Sequence, residues 1–215
     1  MTKPPMLTAQ QALDHLLSHA TPVSECEEVA MQAALGRVLA QDVSSLVDVP
    51  PLDNTSMDGY AVRTADTKTP GNILKVAQRI PAGSVGTTLE PGTVARIFTG
   101  APIPPGADAV VMQEDCAIPE GLTDQVQVNI APVLGQWIRR RGEDLTAGKT
   151  ALIAGTFLRP QELGVAASAG LTHLNVKRRV KVAAFFTGDE LSLPGEPLTP
   201  GGLVHLHARS MWRAF

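Results

Sequence analysis

Aromatic residues, cysteines and an excess of charge of either sign are scarce in this sequence. Aromatic side chains make up only 4% of the 215 residues, so aliphatic side chains must supply most of the core of a chain that is 44% apolar. The net charge of −3 indicates no basic domain of the kind that binds nucleic acid. The two cysteines, Cys26 and Cys116, lie far apart and form neither a disulfide framework nor a zinc motif, which favours a reducing compartment.

Long apolar runs are also absent. No run is long enough to span a bilayer, and the N-terminus lacks the charged and apolar segments of a signal peptide. We therefore expect a cytoplasmic protein with no membrane contact and no nucleic-acid partner. Among the five histidines only His205 and His207 are closely spaced, and we interpret that pair as incidental rather than as a zinc site.

Proline and glycine, in contrast, are abundant, with 17 and 19 residues. Between residues 43 and 133, short runs rich in valine and isoleucine alternate with Pro/Gly clusters, which is typical of a small antiparallel barrel-like or sandwich domain. The predicted strands cover residues 60–63, 73–77, 94–98, 109–113 and 126–130.

Three short helices are predicted outside this region. Thr8 and Gln11 form a capping box at the start of the first, which ends near residue 20. The second covers residues 30–35, and the third covers residues 161–168 behind Pro160. The uninterrupted apolar run 180–186 is typical of a strand that is buried on both faces of a parallel α/β sheet.

Four polar clusters accompany the predicted strands, and each has a structural alternative. Loop aspartates often only cap turns, a Thr-Gly corner can be a simple turn, and a charge run is usually solvated. Polar residues at the carboxyl end of a parallel strand, however, are where open α/β sheets bind ligands. The clusters are Asp53 with Asp58, residues 99–102, residues 139–144 and residues 187–190.

Carboxylates, hydroxyls and arginines together predict an anionic substrate. Arginine's planar fork suits phosphate, and the Thr99 hydroxyl with nearby backbone N–H groups can hold an oxyanion. Because carboxylates repel anions, a divalent cation must bridge the two, and Mg²⁺ prefers such oxygen ligands.

Six motifs, in their order and spacing, resemble those of the MoeA-type molybdopterin molybdenumtransferases and the gephyrin E-domain. The resemblance covers roughly the first 200 residues. The motifs are Leu35-Gly36-Arg37-Val38-Leu39-Ala40, residues 53–62, residues 99–104, Gly106-Ala107-Asp108-Ala109-Val110-Val111, Arg141-Gly142-Glu143-Asp144 and Thr187-Gly188-Asp189-Glu190-Leu191.

The resemblance implies a role in molybdenum cofactor biosynthesis. Such enzymes insert molybdate into adenylylated molybdopterin, depend on Mg²⁺ and release AMP. They act as homodimers, and molybdopterin adenylyltransferase is the expected pathway partner. The implied catalytic residues are Asp58, Thr99, Arg139, Asp144 and Glu190. The implied cofactor-binding residues are Thr187, Gly188 and Asp189, and the implied metal ligands are Asp189 and Glu190.

The resemblance also implies an α+β multidomain fold. An N-terminal helix would occupy residues 1–26, and a small mixed α/β linker domain would combine residues 27–45 with residues 145–176. Residues 46–144 would form a β-rich barrel-like domain. Residues 177–215 would start a truncated molybdopterin-binding-like α/β domain.

The resemblance ends after residue 198, and the segment from Gly201 to Phe215 has no family counterpart. Our hypothesis is a truncated or frameshifted chain, in which we expect disorder from Gly201 onward and no activity of the 215 residues alone. The alternative function is a non-catalytic β-rich scaffold or dimerisation fragment.

Overall fold

The computed structural model describes residues 6–182, 188–192, 195–198 and 200–204. The helices are α1, Ala9–His19, and α2, Pro160–Ser168. None of the described helices has the length and apolarity that a membrane span requires. In chain order the described strands are β1 Cys26–Ala30, β2 Val43–Ser44, β3 Asn54–Thr55, β4 Gly59–Val62, β5 Asn72–Ile80, β6 Thr93–Ile97, β7 Ala109–Met112, β8 Cys116–Ala117, β9 Gln125–Val128, β10 Ile138–Arg139, β11 Thr150–Leu152, β12 His173–Lys177, β13 Leu191–Ser192 and β14 Leu203–Val204.

A six-stranded, nearly closed sheet forms the centre of the fold, in the order β7-β4-β6-β5-β9-β8. The predicted barrel-like region is therefore confirmed. Its purely antiparallel character was wrong, because β5 and β6 run parallel. Residues 81–92 connect these two strands, and a crossover of about a dozen residues is what a parallel pair needs.

The alternation of side chains along the strands produces a separate core on each face of this sheet. Along β4, Tyr60 and Val62 belong to one core and Ala61 belongs to the other. All four residues of β4 are buried, so this strand lies at the centre of both cores. Valine, leucine, isoleucine and alanine make up nearly all of the two cores, as the low aromatic content predicts.

Gly59, at the start of β4, allows a close approach of two backbones. A Cβ atom at this position would lie 1.9 Å from the carbonyl oxygen of Val111 on β7. Any larger residue therefore requires the two strands to separate. Gly59 directly follows Asp58, so the same tight contact between β4 and β7 also fixes the backbone position from which the Asp58 side chain extends.

A third core lies outside the central sheet. It combines residues 29–43 with residues 152–176 and contains the buried side chains of Leu39, Leu158 and Val176. The strand pairs β1–β12 and β2–β11 and the helix α2 surround it. The domain boundaries inferred from the family resemblance stay predictions.

The helix predictions differ in outcome. The capping box is present at α1, since Gln11 N–H donates to the Thr8 hydroxyl and Thr8 N–H donates to the Gln11 side chain. The helix predicted behind Pro160 is confirmed as α2. The helix predicted over residues 30–35 was wrong, because only a 3-10 turn, Met31–Ala33, forms there. The chain must turn at Gly36, whose N–H donates to Leu158 O at 2.8 Å.

Residues from Arg179 onward form a second compact unit, Arg179–Phe215. The buried strand predicted over residues 180–186 is not found in its described part, where Val180 and Val182 are 69% and 57% exposed. Residues 183–187 lie outside the described residues. Past Gly201 the described residues form β14, which pairs in parallel with β13. Residues 205–215 lie outside the described residues, so the disorder expected from Gly201 onward stays a prediction.

We predict that Gly59→Ala destabilises the fold by about 3 kcal/mol or more, because the new methyl group overlaps a backbone oxygen that cannot rotate away. The matched control is Gly164→Ala in α2, where no atom lies within 4 Å of the added Cβ. This control should stabilise the protein by about 0.5–1 kcal/mol, since alanine is the better helix former. Urea unfolding of both variants measures the difference, and a Gly59→Ala change as mild as the control contradicts the prediction.

Candidate functional site

Three of the four predicted clusters meet in one patch of the first unit. Strand β3 lies between the other two segments, since Arg139 on β10 is in register with Asn54, and Thr55 N–H donates to Ala101 O at 3.0 Å. Gly100 N–H in turn donates to Thr55 O at 2.8 Å. We call residues 53–59, 96–102 and 138–144 the central patch.

Asp58 and Thr99 form the side-chain contact between the first two segments of the patch. One carboxylate oxygen of Asp58 accepts from the Thr99 hydroxyl at 2.6 Å and from the Thr99 backbone N–H at 2.8 Å. These two bonds, the hydroxyl first, lower the pKa of Asp58 below its ordinary value. Within the described part of the chain, the second carboxylate oxygen has no hydrogen-bond partner.

The backbone N–H groups at this corner are directed into the protein. The Thr99 N–H bonds Asp58, the Gly100 N–H bonds Thr55, and Ala101 N–H donates to Phe98 O at 2.8 Å. The oxyanion site that these groups could have formed is therefore occupied by the protein's own acceptors. The Thr99 hydroxyl likewise donates its hydrogen bond to the Asp58 carboxylate.

The three consecutive arginines bind three different aspartates of the same chain. A terminal nitrogen of Arg139 lies 2.6 Å from both carboxylate oxygens of Asp144. Arg140 contacts Asp53 at 2.6 Å, and Arg141 contacts a further aspartate, Asp48, also at 2.6 Å. The guanidinium charges are thus compensated locally.

Asp53 is consequently not a partner of Asp58, although the two were grouped by their proximity in sequence. Its second oxygen accepts from Arg141 N–H at 2.8 Å, and this bond is the main cause of its lowered pKa. Asp48 is bound in the same manner by Arg141 and by the Ala147 N–H. Sequence reasoning missed Asp48, because 93 positions separate it from Arg141 and no motif marks it.

Arg96 is the second residue that sequence reasoning missed. It lies on β6, and its guanidinium donates to Gly59 O at 2.9 Å and to the Gln113 side chain at 2.6 Å. The same group lies over the rings of Tyr60 and Phe98, at 5.1 and 4.7 Å from their centroids. Alternation along the predicted strand 94–98 places this arginine on the face of apolar Val94, which was the available signal.

A cavity of about 350 Å³ opens beside Arg96, with Tyr60, Gln113 and Cys116 among its lining residues. Burial raises the pKa of the Cys116 thiol to about 12, so the thiol stays protonated and is a poor nucleophile. A second cavity, of about 400 Å³, lies between Asp144 and α2 residues that include Gln161 and Val165.

The fourth predicted cluster lies in the second unit. Gly188, Asp189 and Glu190 are exposed there, and a turn closes when Leu191 N–H donates to Gly188 O at 3.1 Å. Thr187 lies outside the described residues. Nowhere in the described ranges do three or more His, Cys, Asp or Glu side chains form a group suited to hold a metal ion.

Residues 7–170 match the family model described as MoeA N-terminal region, domain I and II. Molybdopterin molybdenumtransferase 2 of Mycobacterium tuberculosis is 46% identical over 178 residues, which cover 80% of this chain and 43% of the relative. Molybdopterin molybdenumtransferase of Haemophilus influenzae is 39% identical over 197 residues, covering 91% of this chain and 48% of the relative.

The fold is similar to a solved structure as well. The crystal structure of the molybdopterin biosynthesis moeA protein from Pyrococcus horikoshii OT3 superimposes with a TM-score of 0.85 at 34% identity. The superposition covers 95% of this chain and 55% of that one. The chain spans about half the length of the curated relatives it matches.

We predict that Thr99→Val raises the pKa of Asp58, because the Thr99 hydroxyl is the main cause of its depression. A depressed carboxyl pKa adds stability above the unfolded value of about 3.9, and that stability is lost as the pH falls through the folded pKa. The unfolding free energy of the variant should therefore depend less on pH in this acidic window. Carbon-13 NMR titration of the Asp58 carboxyl measures the change. Thr93→Val, which removes only a bond to Glu90 O, is the control, and an unchanged Asp58 pKa in Thr99→Val refutes the prediction.

Proposed function

This chain belongs to the MoeA family, whose N-terminal region it carries over residues 7–170, and we propose that it acts in molybdenum cofactor biosynthesis as part of a molybdopterin molybdenumtransferase. The observation that carries the proposal is that the family match includes every segment of the central patch. The proposed reaction inserts molybdate into adenylylated molybdopterin and releases AMP. Both substrates are anions, as the mixture of acids, hydroxyls and arginines predicts.

Asp58 is the group best prepared to act on such a substrate. Its Thr99 bonds stabilise the ionised form and orient one oxygen, while the other oxygen has no partner within the described residues. We infer that this second oxygen accepts a hydrogen bond from the substrate or from a water beside it. Thr99 then serves to hold Asp58 in that orientation.

Arg139 is the proposed anion-binding group, and Asp144 is its resident partner. Because a carboxylate already contacts its guanidinium at 2.6 Å, an incoming phosphate or molybdate oxygen must share or displace that contact. The guanidinium carries five N–H donors, so some of them can bind a substrate oxygen while others keep the contact with Asp144. Asp144 thereby keeps Arg139 in place before the substrate arrives.

Mg²⁺ dependence is a further part of the proposal. Mg²⁺ is usually held by one or two carboxylates together with substrate phosphates and water, so the adjacent acids Asp189 and Glu190 have the chemistry it needs. The ion would compensate the charge of the phosphate groups when bound. Gly188 and the neighbouring Thr187 and Asp189 are proposed to contact the molybdopterin substrate.

The proposed working form is a cytoplasmic homodimer that receives its substrate from molybdopterin adenylyltransferase. The apolar side chains of α1 support an additional contact surface, since Leu13, Leu16 and Leu17 are 48–69% exposed and no residue of α1 is buried.

A second candidate, a non-catalytic β-rich scaffold, is favoured by the internal pairing of the arginines. Arg139, Arg140 and Arg141 each hold an aspartate of the chain itself, so the central patch is electrically compensated without any ligand. A protein that uses this region only for assembly would show the same pairing.

Turnover separates the two candidates. The purified chain is incubated with molybdate, Mg²⁺ and adenylylated molybdopterin, and AMP release is measured. Molybdate-dependent release supports the transferase. Because we expect no activity of the 215 residues alone, a chain that releases no AMP supports the scaffold only if the Haemophilus influenzae relative also keeps its AMP release when the residue that aligns with Asp58 is replaced. The full-length Haemophilus influenzae relative, assayed beside it, verifies that the substrate preparation is active.

We predict that Asp58→Asn lowers AMP release at least about 10-fold, because the neutral amide neither accepts a proton nor binds Thr99 in the same way. The unfolding free energy should change by less than about 1 kcal/mol, since the pair is exposed. Asp124→Asn, in an exposed loop, is the matched control and should retain full turnover. Where the chain itself shows no turnover, the residue that aligns with Asp58 in the Haemophilus influenzae relative is replaced instead. Loss of folding in Asp58→Asn means that Asp58 is a structural turn residue.

A further inference from the structure

We propose that Arg96 is a positioning residue that holds the backbone carbonyl groups of Asp58 and Gly59 and so directs the Asp58 carboxylate toward Thr99. The proposal deepens the function above, on which it rests for the importance of Asp58. Its geometry belongs wholly to the first compact unit.

The first support is the hydrogen bonding of the guanidinium. Arg96 donates to the carbonyl oxygen of Gly59, the residue directly after Asp58, at 2.9 Å. A second nitrogen donates to the Gln113 side chain at 2.6 Å, and Gln113 N–H donates to the carbonyl oxygen of Asp58 at 3.1 Å. Arg96 thus reaches the peptide groups of both Asp58 and Gly59, one directly and one through Gln113.

The second support is the rigidity of the arginine itself. Tyr60 and Phe98 lie against its guanidinium, at 5.1 and 4.7 Å. Tyr60 is its cross-strand neighbour on β4, and Phe98 directly precedes Thr99. Stacking on two rings restricts the plane of the fork, so the two hydrogen bonds are made from a fixed position.

The third support is the charge balance around Arg96. Unlike Arg139, Arg140 and Arg141, it forms no ion pair with any carboxylate in the described ranges. Its positive charge therefore acts on Asp58, where it adds to the lowering of the pKa that the Thr99 bonds cause. Other charged side chains near this contact include Arg79, which lies over the Phe98 ring, and Glu114, which accepts from the Gln113 side chain.

Arg79 offers a matched control. It is in register with Arg96 on the adjacent strand β5, and its guanidinium also lies over the Phe98 ring, at 4.6 Å. It forms no hydrogen bond to residues 58, 59 or 113 within the described part of the chain. Removing Arg79 removes a charge and a ring contact, but it leaves the backbone bonds of the Asp58 corner intact.

The test is an NMR titration of the 215-residue chain that follows two signals, the Asp58 carboxyl carbon and the Thr99 amide. Because the Thr99 N–H donates to the Asp58 carboxylate, its chemical shift should follow the ionisation of Asp58 in the unmodified protein. In Arg96→Gln we expect the Asp58 pKa to rise, by less than in Thr99→Val, and the Thr99 response to weaken. Arg79→Gln should leave both signals unchanged.

The rescue variant is Arg96→Lys, which keeps the charge but loses the planar fork. In this variant the Asp58 pKa should lie between the values in Arg96→Gln and in the unmodified protein. The response of the Thr99 amide shift to the ionisation of Asp58 should stay weakened. A folded Arg96→Gln in which both signals are unchanged overturns the proposal, and so does an Arg79→Gln that moves them equally. If Arg96→Gln does not fold, Arg96→Lys is judged by the Thr99 response alone. No substrate is involved, so this inference and the proposed transferase activity fail independently.

Discussion

The backbone hydrogen bonds of the two-residue strand β3 hold together the three segments that form the central patch. Asn54 and Thr55 accept and donate bonds on both sides, to residues 100–101 and to the strand β10. These segments are separated by more than 30 positions in the chain. The central sheet also joins two of them, since Gly59 on β4 pairs with Ile97 on β6, and Ala101 and Ile138 share one hydrophobic core. The contact of Asp58 with Thr99 follows from the β4–β6 pairing, and the location of Arg139 follows from the β3–β10 pairing. Gly59 adds the second constraint, because its backbone must approach β7 closely at the same corner.

Most charges of the central patch are compensated within the chain. Arg139, Arg140 and Arg141 pair with Asp144, Asp53 and the nearby Asp48, whereas Arg96 and Asp58 form no ion pair in the described ranges. Exposed pairs of this kind contribute little stability individually, but their short and partly bidentate geometry restricts the orientation of each side chain. Asp58 differs, since its charge is stabilised by a hydroxyl and an amide rather than by an arginine fork. It therefore retains an oxygen for an external group.

Much of the fold could be predicted because it is locally encoded. Short runs rich in valine and isoleucine between Pro/Gly clusters identified β4, β6 and β7, and the capping box marked the start of α1. The parallel pair β5–β6 could not be predicted, since it depends on how the connection 81–92 crosses the sheet. At the site, motifs identified Asp58, Thr99 and Arg139. The sequence analysis did not identify Asp48 or Arg96. Asp48 meets its arginine only through tertiary folding, and Arg96 resembles an ordinary strand residue.

The core shared by residues 29–43 and residues 152–176 has a consequence for the order of events during synthesis. The central sheet is encoded between its two halves, so a ribosome completes that sheet first. At roughly 5–20 residues per second, the apolar side chains of the early half wait on the order of ten seconds for their partners to emerge. During this interval Leu39 and Val43 are exposed to chaperones and to other nascent chains. The core that residues 152–176 complete is therefore the last of the three to close during synthesis.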